Sequence, residues 1–197
     1  MKNAVKFLKN SFLALALSTS LLSSANEVSV SINNDEITNT AFTINNVEAG
    51  DLLSIKDING ATLYNEAIKV SGIYKKGFDF SSLPNGDYFF EVEKSLEIKT
   101  IPFTVTFDKV AFNKETTIYK PFLKHENGML FVSKLAPKHE MLKINIYTLN
   151  NNEYELIHSE KIKGIQSIER VYRLEKGSNY KLVFISNDKE YTKFINN

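Results

Sequence analysis

Phe78-Asp79-Phe80-Ser81-Ser82-Leu83-Pro84-Asn85-Gly86-Asp87-Tyr88-Phe89-Phe90-Glu91-Val92 is the stretch on which the fold turns. Leu83 to Asp87 carries turn chemistry, with proline and Asn-Gly supplying backbone angles that strands avoid, and Tyr88 to Val92 is a run of strand formers. A tyrosine just past a glycine turn, at the start of a late strand, suits the tyrosine corner of β-sandwiches, whose hydroxyl bonds backbone a few residues upstream. That corner favours a sandwich over a barrel.

The flanking sequence reads the same way. Apolar residues alternate with polar ones at Val28, Val30 and Ile32 and again at Leu142, Ile144 and Ile146, the period of half-buried strands. Breaks fall at Asn33-Asn34-Asp35-Glu36, Ala49-Gly50-Asp51 and Asn59-Gly60, and the runs recur at about 8 to 12 residues with no helix-length periodic segment.

Laid over itself at an offset of about 88 to 92 residues, the chain matches along most of its length. Phe42 falls on Leu130, Ile44 on Val132, Val47 on Leu135, Ile55 on Ile144 and Tyr88 on Tyr180. The turn Asn59-Gly60 falls near Asn150-Asn151, and Thr100–Phe103 meets Tyr191–Phe194. The second copy keeps Leu174, Gly177 and Tyr180, with one residue more between glycine and tyrosine, so a looser corner is expected there. The expected fold class is all-β: two tandem immunoglobulin-like β-sandwich domains, 26–107 and 108–197, joined without a Pro- or Gly-rich linker.

Residues 1–25 read as a cleaved signal peptide. Lys2, Lys6 and Lys9 precede the apolar run Phe12 to Leu22, Ser23-Ser24-Ala25 offers small residues for a signal peptidase, and Glu27 follows at once. The run is a dozen residues where about 20 are needed to span a bilayer, so no transmembrane span is expected after cleavage after Ala25. The chain is expected to be exported: periplasmic, surface-associated or secreted.

Composition excludes several functions. Of 197 residues, none is cysteine, which rules out disulfides, thiolate metal sites and a cysteine nucleophile. Without Lys2, Lys6 and Lys9, 21 basic residues face 23 acidic ones, a formal charge of −2 whose overall field would gather neither nucleic acid nor anionic lipid, so polyanion binding is not expected from composition.

The sequence around the opening stretch resembles a known family. The segment Gly50–Tyr64 with its Asp57-Ile58-Asn59-Gly60 hairpin, followed by Asp79, Ser81, Leu83, Pro84, Gly86 and Tyr88, is similar to the immunoglobulin-like C-terminal sorting domains of type IX secretion cargo, and equally to small secreted Ig-like families of unknown function. Glu190 to Ile195 resembles the last strand of that family, without its Pro-x-Gly-x-Tyr signature. The resemblance implies a delivery role, in which removing the chain from Asp188 on changes location.

Candidate chemistry is sparse. Asp57-Ile58-Asn59-Gly60 opens like a calcium loop, but later ligands are missing, and a two-residue Asn-Gly turn explains it. His158 and Glu160 stand two apart in a strand and share a face, as two metal ligands would, without a third. In the adjacent pairs His139-Glu140 and His125-Glu126 the two side chains point to opposite faces if extended, and loops or solvated edges account for them better. Asp35, Asp51, Asp79 and Asp87 sit where turns want aspartate, and no nucleophile context appears. Tyr64, Tyr74, Tyr119, Tyr147 and Tyr154 are sugar platforms if they face outward, and core or rim residues otherwise. Lys75-Lys76-Gly77 reads as a polar turn. No catalytic, cofactor or metal residue is assigned. The leading expectation is a non-enzymatic envelope or surface accessory protein that binds a protein or polysaccharide partner, with a type IX sorting module as the first alternative and a small-ligand carrier or hydrolase as the second.

Overall fold

A computed structural model describes residues 6–7, 30–36, 39–107 and 109–196, with side chains for 40–107 and 109–196. Most of the expected signal peptide lies outside these residues. Its exception is β1 (Lys6–Phe7), which pairs with Arg173 and Tyr172. The chain forms two compact units that divide between Ile118 and Tyr119.

The first unit holds β2 (Val30–Glu36), β3 (Asn39–Val47), β4 (Leu52–Asp57), β5 (Thr62–Ala67), β6 (Gly72–Phe78), β7 (Gly86–Glu93), β8 (Glu97–Thr106), β9 (Lys109–Phe112) and β10 (Thr116–Tyr119). One sheet runs β2-β3-β6 and the other β10-β8-β7-β4-β5, with β9 also on β8. The sequence had placed β9 and β10 in the second module. Their ladders tie them to β8, with Phe112 opposite Phe103 and Val110 opposite Val105, because Val110 completes the first core.

The second unit holds β11 (Phe122–Glu126), β12 (Met129–Leu135), β13 (Leu142–Asn150), β14 (Glu153–Ile162), β15 (Ser167–Arg173), β16 (Asn179–Ser186) and β17 (Lys189–Asn196). Its sheets run β11-β12-β15, continued by β1, and β14-β13-β16-β17. Each unit thus sets a three-strand sheet with a crossover, extended in the second unit by the two-residue β1, against a sheet of four or more, the all-β immunoglobulin-like sandwich. Among the described residues there is no helix.

Each core is built from the inward-facing alternate residues of its two sheets. The first is aromatic: Phe42 stacks on Phe90 with centroids 4.2 Å apart, and Phe78, Phe80 and Phe103 close around that pair. The second is mostly aliphatic, with Leu130, Leu142, Ile144, Ile146 and Leu182 beside Tyr172 and Phe184.

Both tyrosine corners form. The Tyr88 hydroxyl donates to the Pro84 carbonyl at 2.8 Å. The Tyr180 hydroxyl accepts from the Glu175 amide at 2.9 Å and donates to the Glu175 carbonyl at 3.3 Å. The extra residue before Tyr180 does not loosen its corner; it lets one hydroxyl serve two backbone groups.

Hairpins in the second unit turn on Asn127-Gly128, Asn151-Asn152 and Asn187-Asp188, all with positive φ. Two consecutive left-handed residues make the turn whose twist matches the flanking strands, and asparagine tolerates that region better than other side-chain-bearing residues.

Candidate functional site

The cross-strand registers relate the two units residue by residue. Tyr88, Phe90 and Val92 lie opposite Asp57, Ile55 and Leu53. Tyr180, Leu182 and Phe184 lie opposite Thr148, Ile146 and Ile144. Ile55 therefore corresponds to Ile146 and Leu53 to Ile144, a two-residue shift from the sequence pairing. Val47 is buried, but Leu135, its expected mate, is 54% exposed and the neighbouring Ala136 is buried instead.

The same registers place Glu66, opposite Leu53, level with Glu160, opposite Ile144. Each glutamate sits on the edge strand of the larger sheet and gathers groups from the smaller one, from its edge strand β6 in the first unit and from β15, which also pairs with β1, in the second. Glu66 on β5 accepts from Lys76 Nζ at 2.6 Å and Tyr74 Oη at 3.0 Å, both on β6, and from Tyr64 on its own strand. Lys76 also lies over the Tyr64 ring, 4.8 Å from its centroid. Glu160 on β14 accepts from Arg170 Nε at 3.2 Å and from Tyr172, both on β15. Between the units the cation and the tyrosine exchange places: Tyr74-x-Lys76 on β6, Arg170-x-Tyr172 on β15.

The electrostatics follow from these bonds. Lys76 and the tyrosines hold the Glu66 carboxyl down at about 2. Burial, then the bond to Glu66, pushes the Tyr74 phenol far above its usual range, and burial with Glu160 does the same to Tyr172. An ionised, saturated carboxylate is a poor general base and a phenol so raised is a poor nucleophile. What the arrangement does is tie together the two facing sheets of each unit.

Sequence-predicted residues fall as follows. His158 shares the face of Glu160 as expected, but its Nε2 stands 4.0 Å from Glu160, whose oxygens Arg170 and Tyr172 already use. Asp57 Oδ1 accepts from the Asn59 and Ala61 amides, so the turn consumes the oxygen a calcium loop would need. Asp79 caps Ser81, Asp51 accepts from the Glu48 amide and Asp87 from Thr104, so the structure does not bring these carboxylates together. The side chain of Asp35 lies outside those described. His139 occupies a turn with φ of 60°, and His125 and Glu126 lie on β11. Among the described residues no group of three His, Asp or Glu could hold a metal.

Lys75-Lys76-Gly77 is not a turn but the middle of β6, held against β3 with Lys76 opposite Phe42. Tyr64 and Tyr74 are spent in the Glu66 cluster. Tyr119 ends β10 half-buried. Tyr147 and Tyr154 do face outward, opposite Leu156 and Leu149 on the outer side of the larger sheet. Sequence reading passed over Lys134, the next inward position after Leu130 and Val132 on β12, which is only 3% exposed. Burial lowers its pKa from the usual lysine value.

No curated protein matches the chain. Similar solved structures include the chicken CNTN1 FN1-FN3 domains, at 13% identity and TM-score 0.27 over 86% of this chain and 66% of that one. Another is the BSP domain of a biofilm associated protein, at 11% identity and TM-score 0.25 over 81% of this chain and 27% of that one. A family model matches residues 22–105, the stretch that contains the Asp57–Gly60 hairpin and the Tyr88 corner, and its family is the secretion system C-terminal sorting domain.

Proposed function

We propose that the chain is an exported, non-enzymatic β-sandwich protein whose first unit acts as a sorting module of the type IX kind and whose second is a diverged copy of it. The observation that carries the sorting reading is the family match over 22–105, which spans all the strands from β2 to the near end of β8. The saturated Glu66 and Glu160 clusters support a non-enzymatic reading. The shared strand order and the level positions of Glu66 and Glu160 support descent of both units from one.

The test uses the full chain in a host with a working type IX system and in the same host with its translocon disabled. Cell fractionation with external protease should find the chain on the surface or in the medium only in the working host. Equal surface exposure in both hosts, or periplasmic retention in both, refutes the sorting role.

A further inference from the structure

We infer that the outer face of the β14-β13-β16-β17 sheet binds an acidic polysaccharide, with Tyr147, Tyr154 and Phe194 stacking on sugar rings and Lys143, Lys161 and Lys181 meeting the acid groups.

Outward-facing residues form rows across the four strands. One row is Leu156, Tyr147, Lys181 and Phe194, and another includes Lys161, Lys143, Ile185 and Glu190. Tyr154, opposite Leu149, stands in the next outward row, two residues along β14 from Leu156. Three strand spacings separate the backbones of Tyr154 and Phe194, about 14 Å. Their ring centroids are nevertheless 5.9 Å apart, so both rings lean inward over the central strands. There they stay accessible, Tyr154 at 41% and Phe194 at 56%, with Leu156 at 54%. Lys181 holds its ammonium 5.8 Å from the Tyr147 ring centroid.

The charges say which occupant fits. Lys143 and Lys161 lie directly opposite one another, an arrangement that costs a sheet stability. Neither has an ion pair among the described residues. With Lys181 the face carries three cations against the one carboxylate of Glu190 in these rows. An apolar protein partner would have to strip water from unpaired ammonium groups. An acidic sugar chain offers C–H faces to the rings and anions to the lysines, satisfying both features together.

The first unit shows that the fold does not require this surface. By register, Lys56 stands where Tyr147 does, Phe89 where Lys181 does and Pro102 where Phe194 does. Lys56 is neutralised by Glu91 at 2.6 Å. Leu52 and Ala67 replace Lys143 and Lys161. The core and the corner are kept in both units while this face changes, and the inference stands independently of the sorting reading.

The experiment is calorimetric titration of the full chain with polygalacturonate and, as a neutral control, dextran, for the native protein and the paired variants Y154A/F194A and K143E/K161E. All three should melt within a few degrees of one another, because the replaced side chains lie outside the core. Polygalacturonate should bind and dextran should not, with affinity falling at least tenfold in each variant and with added salt. The proposal is overturned by absence of polygalacturonate binding, or by full binding in Y154A/F194A, which would reduce the face to charge alone. It is also overturned if sedimentation shows a dimer that Y154A/F194A abolishes, which would give the face to a second copy.

Discussion

Replacing each corner tyrosine by phenylalanine should cost the second unit about twice what it costs the first. The rings stay, so packing is held nearly constant and the hydroxyl bonds alone are removed. In Tyr88→Phe one carbonyl, that of Pro84, loses a partner 2.8 Å away. A net hydrogen bond contributes about 1 kcal/mol, so the expected loss is about 1 kcal/mol. In Tyr180→Phe both the amide and the carbonyl of Glu175 lose their partner, and the expected loss is about 2 kcal/mol. For units of this size 1 kcal/mol moves the melting temperature by about 4–8 °C. Scanning calorimetry, with hydrogen exchange read by mass spectrometry to assign each transition to its unit, measures both. A larger loss in Tyr88→Phe than in Tyr180→Phe, or no loss in either, would refute the reading of the second corner as a doubled one.

Lys134→Met should stabilise the second unit by about 1–2 kcal/mol, because it replaces a desolvated ammonium by an apolar chain of similar length. The native protein's folded-state Lys134 pKa lies below 10.5, so the unfolded chain binds more protons in that interval and stability rises with pH towards 10.5. Denaturant titrations at several pH values should show that slope in the native protein and a flatter one in the variant. Glu66 works with the opposite timing: with its folded pKa at about 2 against 4.5, its contribution is present above pH 4.5 and is lost as pH falls towards 2. Glu66→Gln should flatten the acid limb of first-unit stability between those values, at a cost near neutrality of under about 1 kcal/mol for so exposed a cluster. Phe90→Ala, which opens the centre of the aromatic core, should cost the first unit about 3–5 kcal/mol, a large part of the about 5–15 kcal/mol that holds a domain folded, and circular dichroism melts should show its transition moved well down in temperature.

Strands and corners were legible because their signals are local. Period-two alternation marked the strand around Leu142, Ile144 and Ile146, and the turn before Tyr88 marked the corner. The resemblance read at Asp57–Gly60 and Asp79–Tyr88 is borne out by the family match over 22–105. Register was less legible: Ile55 was set two residues from its true counterpart because a slip of two keeps every side chain on the same face and leaves the hydrophobic pattern unchanged. Lys75-Lys76-Gly77 reads as a turn because lysine and glycine are poor strand formers; pairing with β3 and the bond from Lys76 to Glu66 override that preference. The glutamate clusters stayed hidden because their members come from strands that no sequence period relates. Spacing of two within a strand, as in Tyr64-x-Glu66, Tyr74-x-Lys76, His158-x-Glu160 and Arg170-x-Tyr172, gave a hint of a shared face but not of the partner strand. Lys134 was invisible for a different reason: alternation tells which face a residue takes, and a charged residue on the inner face reads as an interruption of the pattern.

The ladders also set a kinetic order. Strands β4–β5, β7–β8, β11–β12, β13–β14 and β16–β17 pair as neighbours in sequence, whereas β3–β6, β4–β7, β12–β15 and β13–β16 join distant segments. Short hairpins close in microseconds, while distant segments must first overcome the entropy of closing long loops. Each unit therefore assembles by docking ready-made hairpins, and the docking ladders set its folding rate. Substitutions in the asparagine turns, formed before the docking step, would then reach equilibrium stability mostly through slower folding, and substitutions at contacts completed only after docking through faster unfolding.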